Sequence, residues 1–159
     1  MGTRSHVCYY EKGSDDFVCT YVQFDGYLEG VGKALAENFR DEESARSLAY
    51  LGEIRSIQDD GYQPVKPWLE IAGRGVDLGD EREAPIRVAA ASLAQHISKY
   101  TWIPYFYLFI ESKWICVTSD AVWVLGEDWE RVLSIKNPKK LTFTMLGENR
   151  DHLSIELVQ

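Results

Sequence analysis

The sequence has no long hydrophobic run and few cysteines. Its longest apolar stretch, WIPYFYLFI, is too short to span a bilayer. The first residues, MGTRSHVCYYEKG, contain no apolar segment of the kind that a signal peptide requires. Three cysteines, an odd number, are typical of a reducing compartment. We therefore expect a cytoplasmic protein that does not associate with membranes.

Positive charge is also scarce. The chain has 17 Lys and Arg residues against 25 Asp and Glu residues, which gives a net charge of −8 at pH 7. This balance argues against a general duplex-binding protein, because such a protein neutralises phosphates with basic side chains. It permits an acidic face that meets a basic partner or mimics DNA.

What the sequence does contain is a globular composition, with 45% apolar and 13% aromatic residues in 159 positions. A chain of this length can bury enough surface to fold without a metal or disulfide. We predict a single domain over 1–159 with a long irregular loop at about 53–84, where glycine, proline and charge are concentrated.

The N-terminal part predicts a β-hairpin followed by two short helices. Segments 5–11 and 16–24 flank the turn KGSD, and a register in which paired residue numbers sum to 27 places Cys8 opposite Cys19. The first helix carries Val31, Leu35 and Phe39 at helical spacing. Asp41 is predicted to cap the second helix.

The remaining sequence predicts one further helix and then strands. Pro85 is expected to open a helix whose apolar stripe runs to Tyr100. YFYLFIES with KWICVTS, and LTFTML with HLSIELV, predict two hairpins; AVWVL predicts a strand, and EDWERVLSI fits either a short helix or a strand. The fold class is therefore α+β, with a mainly antiparallel sheet (N-terminal hairpin plus C-terminal strands) packed against about three helices.

Glycine-rich segments do not complete a phosphate-binding motif. GYLEGVGKAL is one residue too long for a P-loop, and Ala34 stands where Ser or Thr would bind magnesium. GRGVDLG is also one residue too long for a dinucleotide-binding turn. No cofactor is predicted.

The sequence gives little support for a metal site or for catalytic residues. His6, Cys8 and Cys19 could share one face of the hairpin, but a structural zinc site needs four ligands with characteristic spacing, which the chain lacks. His96 and Cys116 have no local catalytic signature, so a core or boundary role is expected for each. We predict no metal site and no catalytic residues.

The segment 25–32, called the DGY turn below, is the first candidate binding site. We expect that Gly26 allows a positive φ, that the Tyr27 side chain is wedged between helix and sheet, and that helix N-terminal amides near Gly30–Gly32 could receive an anion. The candidate ligand- or partner-binding residues of this turn are Asp25, Gly26, Tyr27, Glu29 and Gly30.

The aromatic strand YFYLFI is the second candidate. Alternation places Tyr105 and Tyr107 on one face, where they could form core, a partner surface or a stacking platform. A platform for single-stranded nucleic acid would need interleaved basic residues, and only Lys99 and Lys113 flank the run.

The DGY turn also carries a resemblance. YVQFDGYLEGVGKAL resembles an N-terminal motif (aromatic-x-x-aromatic-D-G-Y-P-x-G-x-G-x-x-L) of small uncharacterised proteins of bacteriophages, prophages and bacteria, and AYLGEIRSI resembles their continuation. The chain departs from the motif at Leu28, where the family usually has proline. The resemblance implies a phage or mobile-element setting, and therefore the host cytoplasm as location. The motif carries no established catalytic role, so none is transferred to this chain. The matching residues are Tyr21, Phe24, Asp25, Gly26, Tyr27, Gly30, Gly32 and Leu35.

Three functions follow as hypotheses. The first is a non-enzymatic phage or prophage protein that docks an acidic, aromatic surface on a host or phage protein, such as a component of antiviral defence. The second is a nucleotide- or small-ligand-binding protein or enzyme that uses Asp25, Tyr27 and Glu29, closed by the 53–84 loop. The third is an immunity-like protein that neutralises a basic toxin. The oligomeric state is left open.

Overall fold

The structure, a computed structural model, describes residues 2–57, 68–71, 74–78, 83–100, 102–110, 112–118, 121–125, 131–134, 141–146 and 152–157. These residues form twelve strands and three α-helices. The strands are β1 (Ser5–Glu11), β2 (Asp16–Val22), β3 (Ile54–Ile57), β4 (Trp68–Ile71), β5 (Arg74–Leu78), β6 (Ile86–Ala89), β7 (Tyr105–Ile110), β8 (Lys113–Val117), β9 (Ala121–Leu125), β10 (Arg131–Ser134), β11 (Leu141–Leu146) and β12 (His152–Leu157). The helices are α1 (Lys33–Asn38), α2 (Glu42–Ala49) and α3 (Leu93–Lys99).

Ten strands of the described chain form one mixed sheet. Their order is β10-β9-β8-β7-β1-β2-β3-β5-β4, and β6 pairs with β2 beside β3. The pairs β1–β7 and β2–β3 are parallel, whereas the other neighbours are antiparallel. The α+β prediction is therefore confirmed, with a sheet that is mixed rather than purely antiparallel.

The N-terminal hairpin has the predicted register. Cys8 lies opposite Cys19 and His6 lies opposite Tyr21. One face of the hairpin packs against α1 and α2 and the other against α3, which explains why both faces are apolar in the sequence.

The first helical layer begins with a π-helical turn, Leu28–Gly32, that continues directly into α1. Val31, Leu35 and Phe39 are buried against the sheet, as their spacing predicts. Asp41 caps α2, where its carboxylate accepts a hydrogen bond of 2.7 Å from the Ser44 N–H. The predicted pair of short helices is thus confirmed.

The predicted helix from Pro85 is wrong in its first half. Residues Ile86–Ala89 form β6 and only Leu93–Lys99 form an α-helix, after a 3₁₀ turn at Ala90–Ser92. The β6 strand pairs with β2 over residues 16–19, and Val88 is buried in the core on the α3 face. Pairing with an available strand edge therefore overrides the helical periodicity of this segment.

The predicted irregular loop at about 53–84 is also wrong for the residues that the structure describes there. Strands β3, β4 and β5 occupy part of this range, and β3 continues the sheet from β2. Ile54, Val76 and Leu78 are buried, because these short apolar alternations face α1 and α2. Residues 58–67, 72–73 and 79–82 lie outside the described part of the chain.

The C-terminal strands follow the predicted pattern. β7 and β8 form a hairpin through Ser112, which has a positive φ of 64°. The segment EDWERVLSI contains strand β10, and β11 pairs with β12 in a separate two-stranded sheet beside α3. No helix in the described residues is both long and apolar enough to cross a membrane.

Candidate functional site

The DGY turn is built from internal backbone hydrogen bonds. The Gly26 N–H donates to the Thr3 carbonyl (2.8 Å), and the Val31 N–H donates to the Asp25 carbonyl (2.8 Å). A Cβ atom added to Gly30 would lie 2.2 Å from the Asp25 carbonyl oxygen, so only glycine fits at this position. Contrary to expectation, the positive φ falls on Asp25 (58°) and not on Gly26; aspartate tolerates this region, and Gly26 serves the close approach of Arg4 and Ser5.

The same hydrogen bonds remove the expected anion site. The amide of Gly30 donates to the Tyr27 carbonyl at 3.0 Å, and the amide of Val31 is taken by Asp25. Gly32 also points its amide to the Tyr27 carbonyl, at 3.4 Å. These donors are therefore engaged within the turn and are not available to an anion.

The structure brings Tyr107 to the DGY turn from the sheet. Its hydroxyl donates a 2.7 Å hydrogen bond to the Gly26 carbonyl, and the ring is fully buried. Burial raises the pKa of Tyr107 strongly, so the hydroxyl stays protonated as a donor. Tyr105 stacks on Tyr107 with 6.3 Å between ring centroids. The tyrosine face predicted as core, partner surface or platform is therefore core at Tyr107.

The other predicted residues of the turn lie at the surface. Asp25, Tyr27 and Glu29 are exposed, and the Tyr27 hydroxyl donates to the Asp25 carboxylate (3.2 Å) instead of wedging between helix and sheet. The structure thus divides the predicted site into a buried structural part and an exposed part.

The cysteines of the first hairpin are packed thiols. Cys8 and Cys19 are both free and buried, and burial raises the pKa of the Cys8 thiol. In the described part of the chain, no three His, Cys, Asp or Glu side chains converge as metal ligands.

A histidine pair links the first strand to α3. The Nε2 atom of His96 lies 3.3 Å from the Nδ1 atom of His6. Burial, reinforced by His96, lowers the pKa of His6 to about 3, and burial likewise lowers that of His96. Both rings are neutral at pH 7, and one donates its N–H to the lone pair of the other. A neutral pair of this kind positions neighbouring rings.

Those neighbouring rings lead to the surface. His6 contacts Tyr100 at 5.1 Å and Tyr21 at 6.2 Å between centroids. Tyr21 and Tyr100 each contact Trp102 at 6.0 Å. The guanidinium of Arg4 lies 5.4 Å from the centroid of the same indole.

Together, Arg4, Tyr21, Tyr100 and Trp102 form what we call the Trp102 surface. Trp102 is 53% exposed, more than the other exposed large hydrophobic side chains of the described chain, Tyr27 and Ile86. Two tyrosines and a cation fix an indole that is half in water, which prepares it for contact with another molecule.

Sequence analysis missed Trp102 as a site residue. It lies in the apolar stretch WIPYFYLFI, but outside the strand Tyr105–Ile110, whose alternation indicated Tyr105 and Tyr107 as candidates. The available signal was its position two residues before Pro104, in a connection between α3 and β7, where a large aromatic side chain has no periodic core position.

Comparisons of the chain with protein-family models, curated proteins and solved structures each find no match. The resemblance to phage and prophage proteins stays a prediction.

Proposed function

We propose that the protein is a non-enzymatic binding protein that docks on another protein through the Trp102 surface. The observation that carries this proposal is a half-exposed Trp102 held between Tyr21, Tyr100 and Arg4. Tryptophan, tyrosine and arginine are the residues that most often dominate the binding energy of protein interfaces. Here they are preordered by their mutual contacts, which lowers the entropy cost of association.

The resemblance of the DGY turn supports a phage or prophage origin and a host protein as the partner, such as a component of antiviral defence. The net charge of −8 suits a partner with basic surface outside the aromatic contact. A basic toxin would present the same kind of basic surface as such a host partner. The identity of the captured partner therefore distinguishes docking on a host protein from neutralisation of a toxin.

The neutral histidine pair and the DGY turn fit this non-enzymatic role. His6 and His96 carry no charge at pH 7 and contact rings that support Trp102. The amides of the DGY turn are used to hold the turn itself. Both features act on architecture, and the second hypothesis, a nucleotide site at Asp25 and Tyr27, gains no support from them.

Capture from host lysate tests the proposal. Tagged wild-type protein is compared with Trp102→Ala and with Tyr27→Ala, a matched control that removes another exposed aromatic side chain. We expect one stoichiometric partner that Tyr27→Ala retains and Trp102→Ala loses by roughly 30-fold in affinity, the size of an interface hot spot. Circular dichroism confirms that each variant is folded. Equal affinity of wild type and folded Trp102→Ala for that partner would contradict the proposal.

A further inference from the structure

A groove of about 800 Å³ lies between β6 and one face of α3. All four residues of Ile86–Ala89 line it. Because successive side chains of a strand point to opposite faces, a groove lined by four in a row runs along the edge of the strand. Its other wall is formed by Ser92, Gln95, His96 and Lys99, which share one helical face at spacings of three and four residues.

The strand edge in this groove presents free backbone groups. The Ala90 N–H donates to the Asp15 carbonyl (3.1 Å), so these two residues form a hydrogen-bonded pair in line with the β2–β6 register. In an antiparallel pair of strands, hydrogen-bonded and non-hydrogen-bonded residue pairs alternate. Val88 and Ile86 therefore bond to β2, whereas Arg87 and Ala89 direct their N–H and C=O groups away from it. The N–H and C=O of Arg87 and the N–H of Ala89 have no outward backbone partner within the described chain, whereas the C=O of Ala89 begins the 3₁₀ turn Ala90–Ser92.

The charge of the groove is opposite to that of the whole protein. The charged side chains that line it, Arg87 and Lys99, are both basic, although the chain carries −8 overall. The Arg87 guanidinium is held by Asp16 (3.2 Å) and the Tyr50 hydroxyl (3.0 Å) on the opposite face of the sheet. Lys99 is therefore the cation that a molecule in the groove meets.

We propose that this groove binds an extended acidic segment of the partner, which adds to the sheet as a strand beside β6. An edge strand next to a helix supplies main-chain hydrogen bonds from one wall and side-chain selection from the other. The inference rests on the proposed function and locates a second contact of the same surface, since Tyr100 lines the groove and also supports Trp102.

Proline at residue 89 provides a selective test. Ala89 has φ −58° and ψ 140°, angles that proline adopts, and its N–H points away from β2. Ala89→Pro therefore removes an outward donor without disturbing β6. Ala89→Ser keeps the N–H and serves as the matched control.

Fluorescence anisotropy measures binding of a labelled peptide in which valine alternates with glutamate, and of the same peptide with lysine for glutamate. We expect the acidic peptide to bind roughly tenfold more tightly than the basic one, and Lys99→Glu to reverse the preference. We expect Ala89→Pro to weaken the acidic peptide by roughly fivefold or more, and Ala89→Ser to bind as wild type does.

Three outcomes would overturn the inference: no binding of the acidic peptide at millimolar concentration, equal affinity for both peptides, or equal affinity of the Ala89→Pro and Ala89→Ser variants. Sedimentation tests the other occupant, since self-association that Ala89→Pro abolishes would assign the edge to a second copy and also overturn it. Any of these outcomes would overturn the groove proposal but not the proposed function, because the capture of a partner would still depend on Trp102.

Discussion

The two faces of the sheet are covered by different kinds of contact. On the face covered by α1 and α2, three sheet side chains donate to backbone carbonyls of the helical layer: Trp114 to Phe39 (2.7 Å), Thr20 to Ala49 (2.6 Å) and Tyr107 to Gly26 (2.7 Å). On the face covered by α3, neutral histidines and aromatic rings make the contacts. The first face thus connects to the DGY turn, whose amides are hydrogen-bonded within the turn, whereas the second face connects to the exposed side chain of Trp102.

This difference separates architecture from interaction. Phe39 and Ala49 lie at the C-terminal ends of α1 and α2, where carbonyl groups lack a helical partner, so the donors from the sheet fix the position of each helix. Among the residues that the structure describes, the α3 face has fewer side-chain hydrogen bonds of this type and leaves aromatic surface and a strand edge accessible. The first face should therefore govern stability, and the second should govern binding.

The largest expected effect on stability is at Gly30. In Gly30→Ala, the new Cβ would meet the Asp25 carbonyl oxygen at 2.2 Å, inside the hydrogen-bonded turn. We expect a loss of about 3 kcal/mol or more in the free energy of unfolding, measured by urea denaturation, because backbone must move to relieve the contact. Gly13→Ala is the control, since nothing lies within 4 Å of its added Cβ. If both variants lose the same small amount, the DGY turn is looser than the structure shows.

The α3 face should respond to pH through its histidines. Burial, reinforced by His96, lowers the pKa of His6 from its ordinary value of 6.5 to about 3 in the folded protein, so below pH 6.5 the unfolded state binds more protons. Stability is fully present above this value and falls with pH between about 6.5 and 3, by about 2 kcal/mol between about pH 7 and pH 5. Urea denaturation at several pH values measures the loss.

His6→Gln is the control for this pH effect, because glutamine is polar but does not titrate. We expect the variant to be less stable at pH 7, where it lacks the ring contacts, and to depend less on pH than the wild type. The window above pH 5 excludes most carboxylate titration. Parallel pH profiles of wild type and variant would show that His6 is not the group responsible.

The tyrosines of the predicted site should differ in their importance for folding. Tyr107→Phe leaves the buried Gly26 carbonyl without its 2.7 Å partner, and we expect a loss of about 1.5 kcal/mol. Tyr27→Phe removes an exposed 3.2 Å hydrogen bond and should cost no more than about 0.5 kcal/mol. Thermal and urea unfolding of the two variants give this difference directly. A larger cost for Tyr27→Phe would show that the exposed hydrogen bond to Asp25 stabilises the turn more than the buried one from Tyr107.

Local sequence patterns predicted much of this architecture. The hairpin register followed from the length of one turn, and the Asp41 cap and the Val31–Leu35–Phe39 spacing followed from contacts along a single helix. Strands β3 to β6 could not be predicted in the same way, because short segments become strands only where a distant edge pairs with them. The same limit applied to the site: His6 and His96 meet across 90 residues, and Trp102 obtains its neighbours from three separate elements.

A small effect on stability is also expected at Arg4, where binding and folding should separate most clearly. Its exposed guanidinium lies over Trp102, and we expect Arg4→Ala to change the free energy of unfolding by about 0.5 kcal/mol, the value of an exposed cation–π contact. Partner capture should fall severalfold, because an arginine on an aromatic interface is desolvated there. Arg40→Ala removes an exposed arginine beside α2, on the other face, and should change neither quantity. Equal capture by the two variants would place the partner away from the Trp102 surface.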